Sequence, residues 1–226
     1  MKPRFLKLLA WAVPVLVLAA CASGKHPLSR PVSKTADRPP AILFIGNSYS
    51  FDVPSELRRI AAGKGLALRV GQVTNGGWTL EQHCRNEETL RAIREGGWDI
   101  VVLQEQSRIP SQPLKRTLSM FPAVRELAET ARAPGAEPVL YQTWGDRDGD
   151  LFRAGDDFHA MVARVREGYQ AAAAHAGSLR VVPAGDAWER EVSAGRGGSL
   201  FQQDGSHPTR EGNRLTASVF YQELVR

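Results

Sequence analysis

From Ala41 onward, hydrophobic and polar positions alternate between a strand period and a helix period. Ala41 to Ile45 is a continuous apolar run closed by Gly46, the pattern of a parallel strand buried on both faces. Val53 to Gly63 places Leu57, Ile60 and Ala61 at helical spacing, with Gly63 as its stop. A second strand is predicted over Leu66 to Val73, and a helix capped by Thr79 runs to Glu95, where Gly96 and Gly97 end it. The rest reads as a strand at Asp99 to Leu103, a helix near Leu114 to Arg132, and a strand at Pro138 to Thr143. A helix near Asp156 to His175, a short strand at Leu179 to Val182 and a last helix from Pro208 to Val225 complete the chain. This alternation predicts an α/β fold: a three-layer αβα sandwich around a central five-stranded parallel sheet, with right-handed crossovers. Residues just after the strands should line a site at the carboxyl edge of that sheet.

The beginning of the chain obeys a different pattern. Lys2, Arg4 and Lys7 precede an apolar stretch from Leu8 to Ala20 that is short for a membrane-crossing helix, so residues 1–20 read as a signal peptide. The junction Leu18-Ala19-Ala20-Cys21 resembles a bacterial lipoprotein signal, which implies export and lipidation of Cys21. Ala22 in place of Asp points to an outer-membrane destination under the sorting pattern of such lipoproteins. Residues 21–40, with Pro27, Pro31, Pro39 and Pro40, form an extended tether, and residues 41–226 form one domain.

Composition changes the picture in two ways. The net charge of +5 suggests nucleic acid, yet residues 1–40 hold seven Lys and Arg against one acidic residue. The remainder holds 22 basic and 23 acidic residues, so no phosphate-tracking surface and no nucleic-acid partner are expected. The two cysteines are too few for a disulfide scaffold or a structural zinc site, and an acylated Cys21 would leave Cys84 without a partner in the chain.

Two short segments carry candidate chemistry. After the first strand stands Gly46-Asn47-Ser48-Tyr49-Ser50, where Gly46 permits a sharp turn that exposes the Ser48 hydroxyl and points its N–H into the same cavity. The alternative is a strand-to-helix turn in which Ser48 or Ser50 merely caps. The segment is neither a Gly-x-Ser-x-Gly elbow nor a phosphate loop. Near the end, Asp204-Gly205-Ser206-His207-Pro208-Thr209 puts a carboxylate three residues before an imidazole, with Pro208 suited to a first helical position. That spacing lets Asp204 accept from Nδ1 while Nε2 faces the cavity as a base, the alternative being a capping turn with a surface histidine.

Together these segments resemble the SGNH (GDSL-like) hydrolase family, in blocks of matching order from Ile42 to Phe220. The resemblance implies a flavodoxin-like sandwich, Ser48 as nucleophile, and Asp204 and His207 as its partners. It also implies an oxyanion hole built from the N–H groups of Ser48 and Gly77, the latter within Asn75-Gly76-Gly77-Trp78-Thr79. Asn47 stands where the family usually has Asp. The third block departs further: Leu103-Gln104-Glu105-Gln106-Ser107 lacks the family's asparagine donor. If the strand persists, Gln104 and Gln106 alternate onto one side, and Gln104 is the preferred amide donor with Gln106 the alternative. A donor at Gln104 predicts that Gln104→Ala slows turnover roughly a hundredfold. The glutamine-bearing block also resembles that of carbohydrate O-acetylesterases in the same superfamily, implying an acylated carbohydrate or other small ester as substrate, with no cofactor and no metal.

Other residues invite smaller expectations. Trp78 and Trp144, after the second and fourth strands, are placed to stack on a sugar ring or acyl group. His83 and Cys84 are adjacent on a helix and diverge by about 100°, which argues against a Cys/His pair. Asp146, Asp148, Asp150 and Asp157 follow calcium-loop spacing, but Leu151 occupies the required glycine position, so a solvated acidic loop is expected. Two other classes fit the fold: a lipoprotein that binds a glycan without cleaving it, and a flavodoxin-like binder using the first turn as an anion nest.

Overall fold

The computed structural model describes residues 38–226. The expected signal peptide, the lipidation site Cys21 and most of the tether lie outside the described residues. Five strands form one parallel sheet in the order β2-β1-β3-β4-β5: β1 Ala41–Gly46, β2 Arg69–Thr74, β3 Ile100–Leu103, β4 Glu137–Gln142 and β5 Arg180–Pro183. Pairing runs Ile42 to Val70 and Ile100, Val102 to Val139, and Leu140 to Val181. The strand order reverses at β1, so the crevice expected of such a sheet opens beside the end of the first strand.

Strand period decides which layer each apolar residue joins. Ile42 and Phe44 face a core shared with α1 (Val53–Ala62), while Leu43 and Ile45 point to the opposite face. That second face packs on α2 (Leu80–Cys84), α3 (Glu87–Glu95), α4 (Phe121–Arg132) and much of α5 (Phe158–His175). Two further helices complete the first layer, α6 (Ala184–Ser193) through Trp188 and α7 (Arg210–Phe220) through Ala217 and Phe220. Every residue of β1 is buried, as its unbroken apolar run requires, whereas edge strand β2 is largely accessible.

Three expectations are corrected. The single helix from Thr79 to Glu95 is two helices: Thr79 and Gln82 form a capping box for α2, and Asn86 then caps α3 through the Thr89 N–H. Helix α6 directly follows β5 in a stretch to which the sequence pattern assigned no element. Pro208 precedes the last helix, whose cap is Thr209 through the Gly212 N–H, so the helix begins at Arg210. At the amino edge of the sheet, the Arg38 guanidinium makes two bonds to the Asp99 carboxylate, which also accepts the Ala41 N–H at 2.8 Å.

Candidate active site

Ser48 begins a single 3-10 turn after β1, and His207 ends a loop that returns to α7. Across the carboxyl edge of the sheet, Ser48 Oγ and His207 Nε2 are 2.9 Å apart. On the other side of the imidazole, Nδ1 is 2.6 Å from Asp204 Oδ2. The Asp204 turn is closed locally, because Oδ1 accepts the N–H groups of Ser206 and His207 at 2.9 and 3.0 Å. The carboxyl of Asp204 lies below the ordinary carboxylate range: partial burial pushes it up, and the Ser206 N–H, the imidazole and the His207 N–H outweigh that. The geometry thus brings together the three residues that two segments 159 positions apart suggested.

The first turn is held by its neighbours. Asn47 Oδ1 accepts the Tyr49 N–H at 3.2 Å, and its amide donates to the Trp78 carbonyl at 3.0 Å, tying the Ser48 turn to the loop after β2. In that loop Trp78 N–H closes a turn onto the Asn75 carbonyl, and Gly77 has φ +74°, a conformation that a side chain would strain. Among the described residues, the N–H groups of Ser48 and Gly77 have no acceptor.

Gln104 is not a free donor, which corrects the preferred assignment. It is fully buried, and Oε1 accepts the Asn47 N–H at 2.9 Å and the Ser50 hydroxyl at 3.0 Å. Its amide nitrogen donates to Asn47 Oδ1 at 3.1 Å and to the Glu105 carbonyl. Both amide protons are therefore committed within the protein. The strand ends at Leu103, so the alternation assumed for Gln104 and Gln106 does not continue. Gln106 is partly exposed; its carbonyl oxygen accepts the Arg108 N–H, and its amide meets only the Ser107 hydroxyl, at 3.4 Å. Gly46 serves Gln104 rather than an unusual backbone angle: a Cβ there would lie 2.5 Å from Gln104 Oε1.

Trp144 is also corrected. It is fully buried, stacked between Tyr49 at 4.7 Å and Trp188 at 3.7 Å, and offers no face to a substrate. Trp78 is half-buried, its ring 5.1 Å from that of His83. His83 is a strut: Nε2 meets the Gly46 carbonyl and Nδ1 the Thr89 hydroxyl, each at 2.9 Å, and burial lowers its pKa toward the neutral form. The Cys84 thiol is pushed up to about 12 by burial and by Glu126, opposite to what a thiolate nucleophile needs. The aspartates of the loop after β4 serve separate partners: Asp148 pairs with Arg147, Asp157 caps α5, and Asp146 turns inward to Ser206.

Sequence reasoning missed Glu105. It is buried beside the turn, with Oε1 accepting the N–H groups of Leu80 at 3.1 Å and Gln106 at 2.7 Å, and Oε2 without a partner. Burial raises its pKa to about 7. A charged residue two positions after an apolar strand was the available signal.

Comparison with known proteins agrees with this geometry. No family model and no curated protein matches the sequence. Among solved structures, a protein from Slackia heliotrinireducens assigned to the SGNH hydrolases is 31% identical, with a TM-score of 0.67 over 82% of this chain and 99% of that one. A DUF4886 family protein from Bacteroides uniformis is 20% identical, with a TM-score of 0.72 over 83% of each chain. The acetylxylan esterase Axe2 from Geobacillus stearothermophilus is 16% identical, with a TM-score of 0.63 over 83% of this chain and 96% of that one, a likeness of fold. With its parallel sheet, its serine, histidine and aspartate at one edge, and a near full-length relative, this chain belongs to the SGNH hydrolase family.

Proposed function

We propose that the protein is a serine esterase that removes small acyl groups, O-acetyl groups on carbohydrate foremost, through an acyl-enzyme. One observation carries this reading: Ser48 Oγ lies 2.9 Å from His207 Nε2, whose other nitrogen lies 2.6 Å from Asp204. Asp204 holds the imidazole with Nδ1 protonated, so Nε2 takes the Ser48 proton as the oxygen attacks the ester carbonyl. The N–H groups of Ser48 and Gly77 are the candidate donors to the resulting oxyanion, and Gln106, whose amide is engaged only by the Ser107 hydroxyl at 3.4 Å, is the candidate glutamine donor. His207 then returns the proton to the departing alcohol, and water repeats the sequence to release the acid.

The substrate class rests on the fold shared with an acetylxylan esterase and on a leader that would expose the enzyme to envelope or extracellular glycans. Trp78, partly exposed beside the Gly77 turn, is the aromatic left to meet a sugar ring or acyl group. Anchoring through Cys21 in the outer membrane belongs to the same proposal. A panel of p-nitrophenyl esters from acetate to palmitate, run beside acetylated xylan and acetylated muramyl substrates, tests it. Fastest turnover of short acyl esters with release of acetate from a glycan is expected, and preference for palmitate overturns the carbohydrate assignment. Absence of any ester turnover, with no loss of signal after a serine-directed phosphonate, would favour a glycan-binding protein.

A further inference from the structure

The Asp204 and His207 side chains are 47% and 40% exposed. At such exposure water competes for both groups, so their pair does not by itself fix the turn that carries them. Ser206, between them, is anchored in quite another way. Ser206 Oγ donates to Asp146 Oδ1 at 2.6 Å, and Tyr49 Oη lies 2.6 Å from the same Oγ. Since the serine proton is given to the carboxylate, the phenol proton is the one that fills this second bond. Burial of Tyr49 among Trp144 and the Asp146 carboxylate keeps that phenol protonated across the working pH range.

The backbone of the same turn is fixed too. The Ser206 carbonyl accepts Trp144 Nε1–H at 3.0 Å, and the Gly205 carbonyl accepts the Arg147 N–H at 2.7 Å. Asp146 is itself held by Arg108, at 3.3 Å. Tyr49 directly follows the nucleophile Ser48, and Ser206 directly precedes the base His207. The bond between their hydroxyls therefore joins the two catalytic turns one residue away from each reacting group.

We propose that the Tyr49–Ser206–Asp146 chain of hydrogen bonds is a positioning device that sets the distance between Ser48 and His207, with the Ser206 hydroxyl as its central member. The proposal rests on Ser48 and His207 being the reacting pair. Loss of the Ser206 hydroxyl leaves Asp146 and Tyr49 without their shared partner, frees the turn, and lengthens the Ser48 to His207 contact. A misplacement of about 1 Å in such a pair costs on the order of a hundredfold in rate.

The test compares Ser206→Ala, Ser206→Thr and Tyr49→Phe with the parent protein in two measurements: the rate at which a fluorophosphonate labels Ser48, and kcat and KM on p-nitrophenyl acetate. Labelling needs no knowledge of the natural substrate. Ser206→Ala is expected to lower labelling and kcat by about tenfold to a hundredfold with KM within about twofold. Ser206→Thr, which restores the hydroxyl, recovers most of that loss. Tyr49→Phe keeps the ring stack and lowers both rates by a smaller factor, so it decides the matter if Ser206→Ala fails to fold. A parent protein that labels rapidly while Ser206→Ala or Tyr49→Phe label at the same rate overturns the positioning role and leaves the esterase reading intact. A parent protein that does not label at all overturns both.

Discussion

Gln104 and Asn47 are bonded in both directions: Gln104 Oε1 accepts the Asn47 backbone N–H at 2.9 Å, and its amide returns a bond to Asn47 Oδ1 at 3.1 Å. The residue before the nucleophile is thus held on its main chain and its side chain by one buried glutamine. Asn47 passes that constraint to the loop after β2 through the Trp78 carbonyl. The third block of the family is occupied here by a support for the first.

Gln104→Ala should act on stability first. It strands the buried Asn47 N–H and the Ser50 hydroxyl without an acceptor, at a cost of about 1–3 kcal/mol for each group left unpaired. Urea unfolding should show that loss, together with a fall in kcat as the Ser48 turn loosens. Unchanged stability with a hundredfold loss of kcat would instead return Gln104 to the oxyanion hole.

Gly46 and Gly77 should fail for different reasons when changed to alanine. At Gly77 no atom stands within 4 Å of the added Cβ, but φ of +74° penalises it by about 1–2 kcal/mol. At Gly46 a Cβ would lie 2.5 Å from Gln104 Oε1, so the buried amide must move. Thermal unfolding should therefore show the larger drop for Gly46→Ala, and equal midpoints would contradict this assignment.

Trp144→Ala should cost about 3–5 kcal/mol of stability, the scale for deleting a large buried aromatic. Trp78→Ala, at a partly exposed position, should leave the unfolding midpoint near that of the parent and act on KM. A raised KM with undiminished stability in Trp144→Ala would mean that its ring meets substrate after all.

Glu105 predicts a pH dependence of stability. Burial raises its pKa from 4.5 to about 7, against the opposing effect of the Gln106 and Leu80 N–H groups, and Glu81 adds to the rise. The folded state therefore holds this proton where the unfolded chain releases it, so stability is greatest below the unfolded value and falls as pH rises through that window. The loss is at most about 3 kcal/mol once both states are ionised. Glu105→Gln keeps an acceptor for both N–H groups and should flatten the slope of unfolding free energy between about pH 4.5 and 7. An unchanged slope would show that another group is responsible.

The five strands and their alternation with helices were legible because each element depends on local periodicity: β1 is apolar throughout, as a strand buried on both faces requires. The meeting of Ser48, Asp204 and His207 was legible because Asp204 and His207 are close in sequence and Ser48 follows a strand end. The supporting residues were not, since Gln104 and Asn47 are 57 positions apart, and their hydrogen bonds depend on strands β1 and β3 lying side by side. Trp144 misled because a large aromatic after a strand fits a binding face as well as a buried stack. Helix α6 was overlooked because Ala184, Ala187 and Trp188 form too short an apolar stripe to stand out beside Gly185 and four charged residues.

The clamp between Arg38 and Asp99 lies ahead of β1 and β3, whereas Ser48 and His207 stand beyond their far ends. The described chain thus enters the domain on the side opposite Ser48, separated by a strand length of about 20 Å. Any surface that meets the chain close to Arg38 would face the back of the molecule, leaving the edge that carries Ser48 and His207 turned away from it.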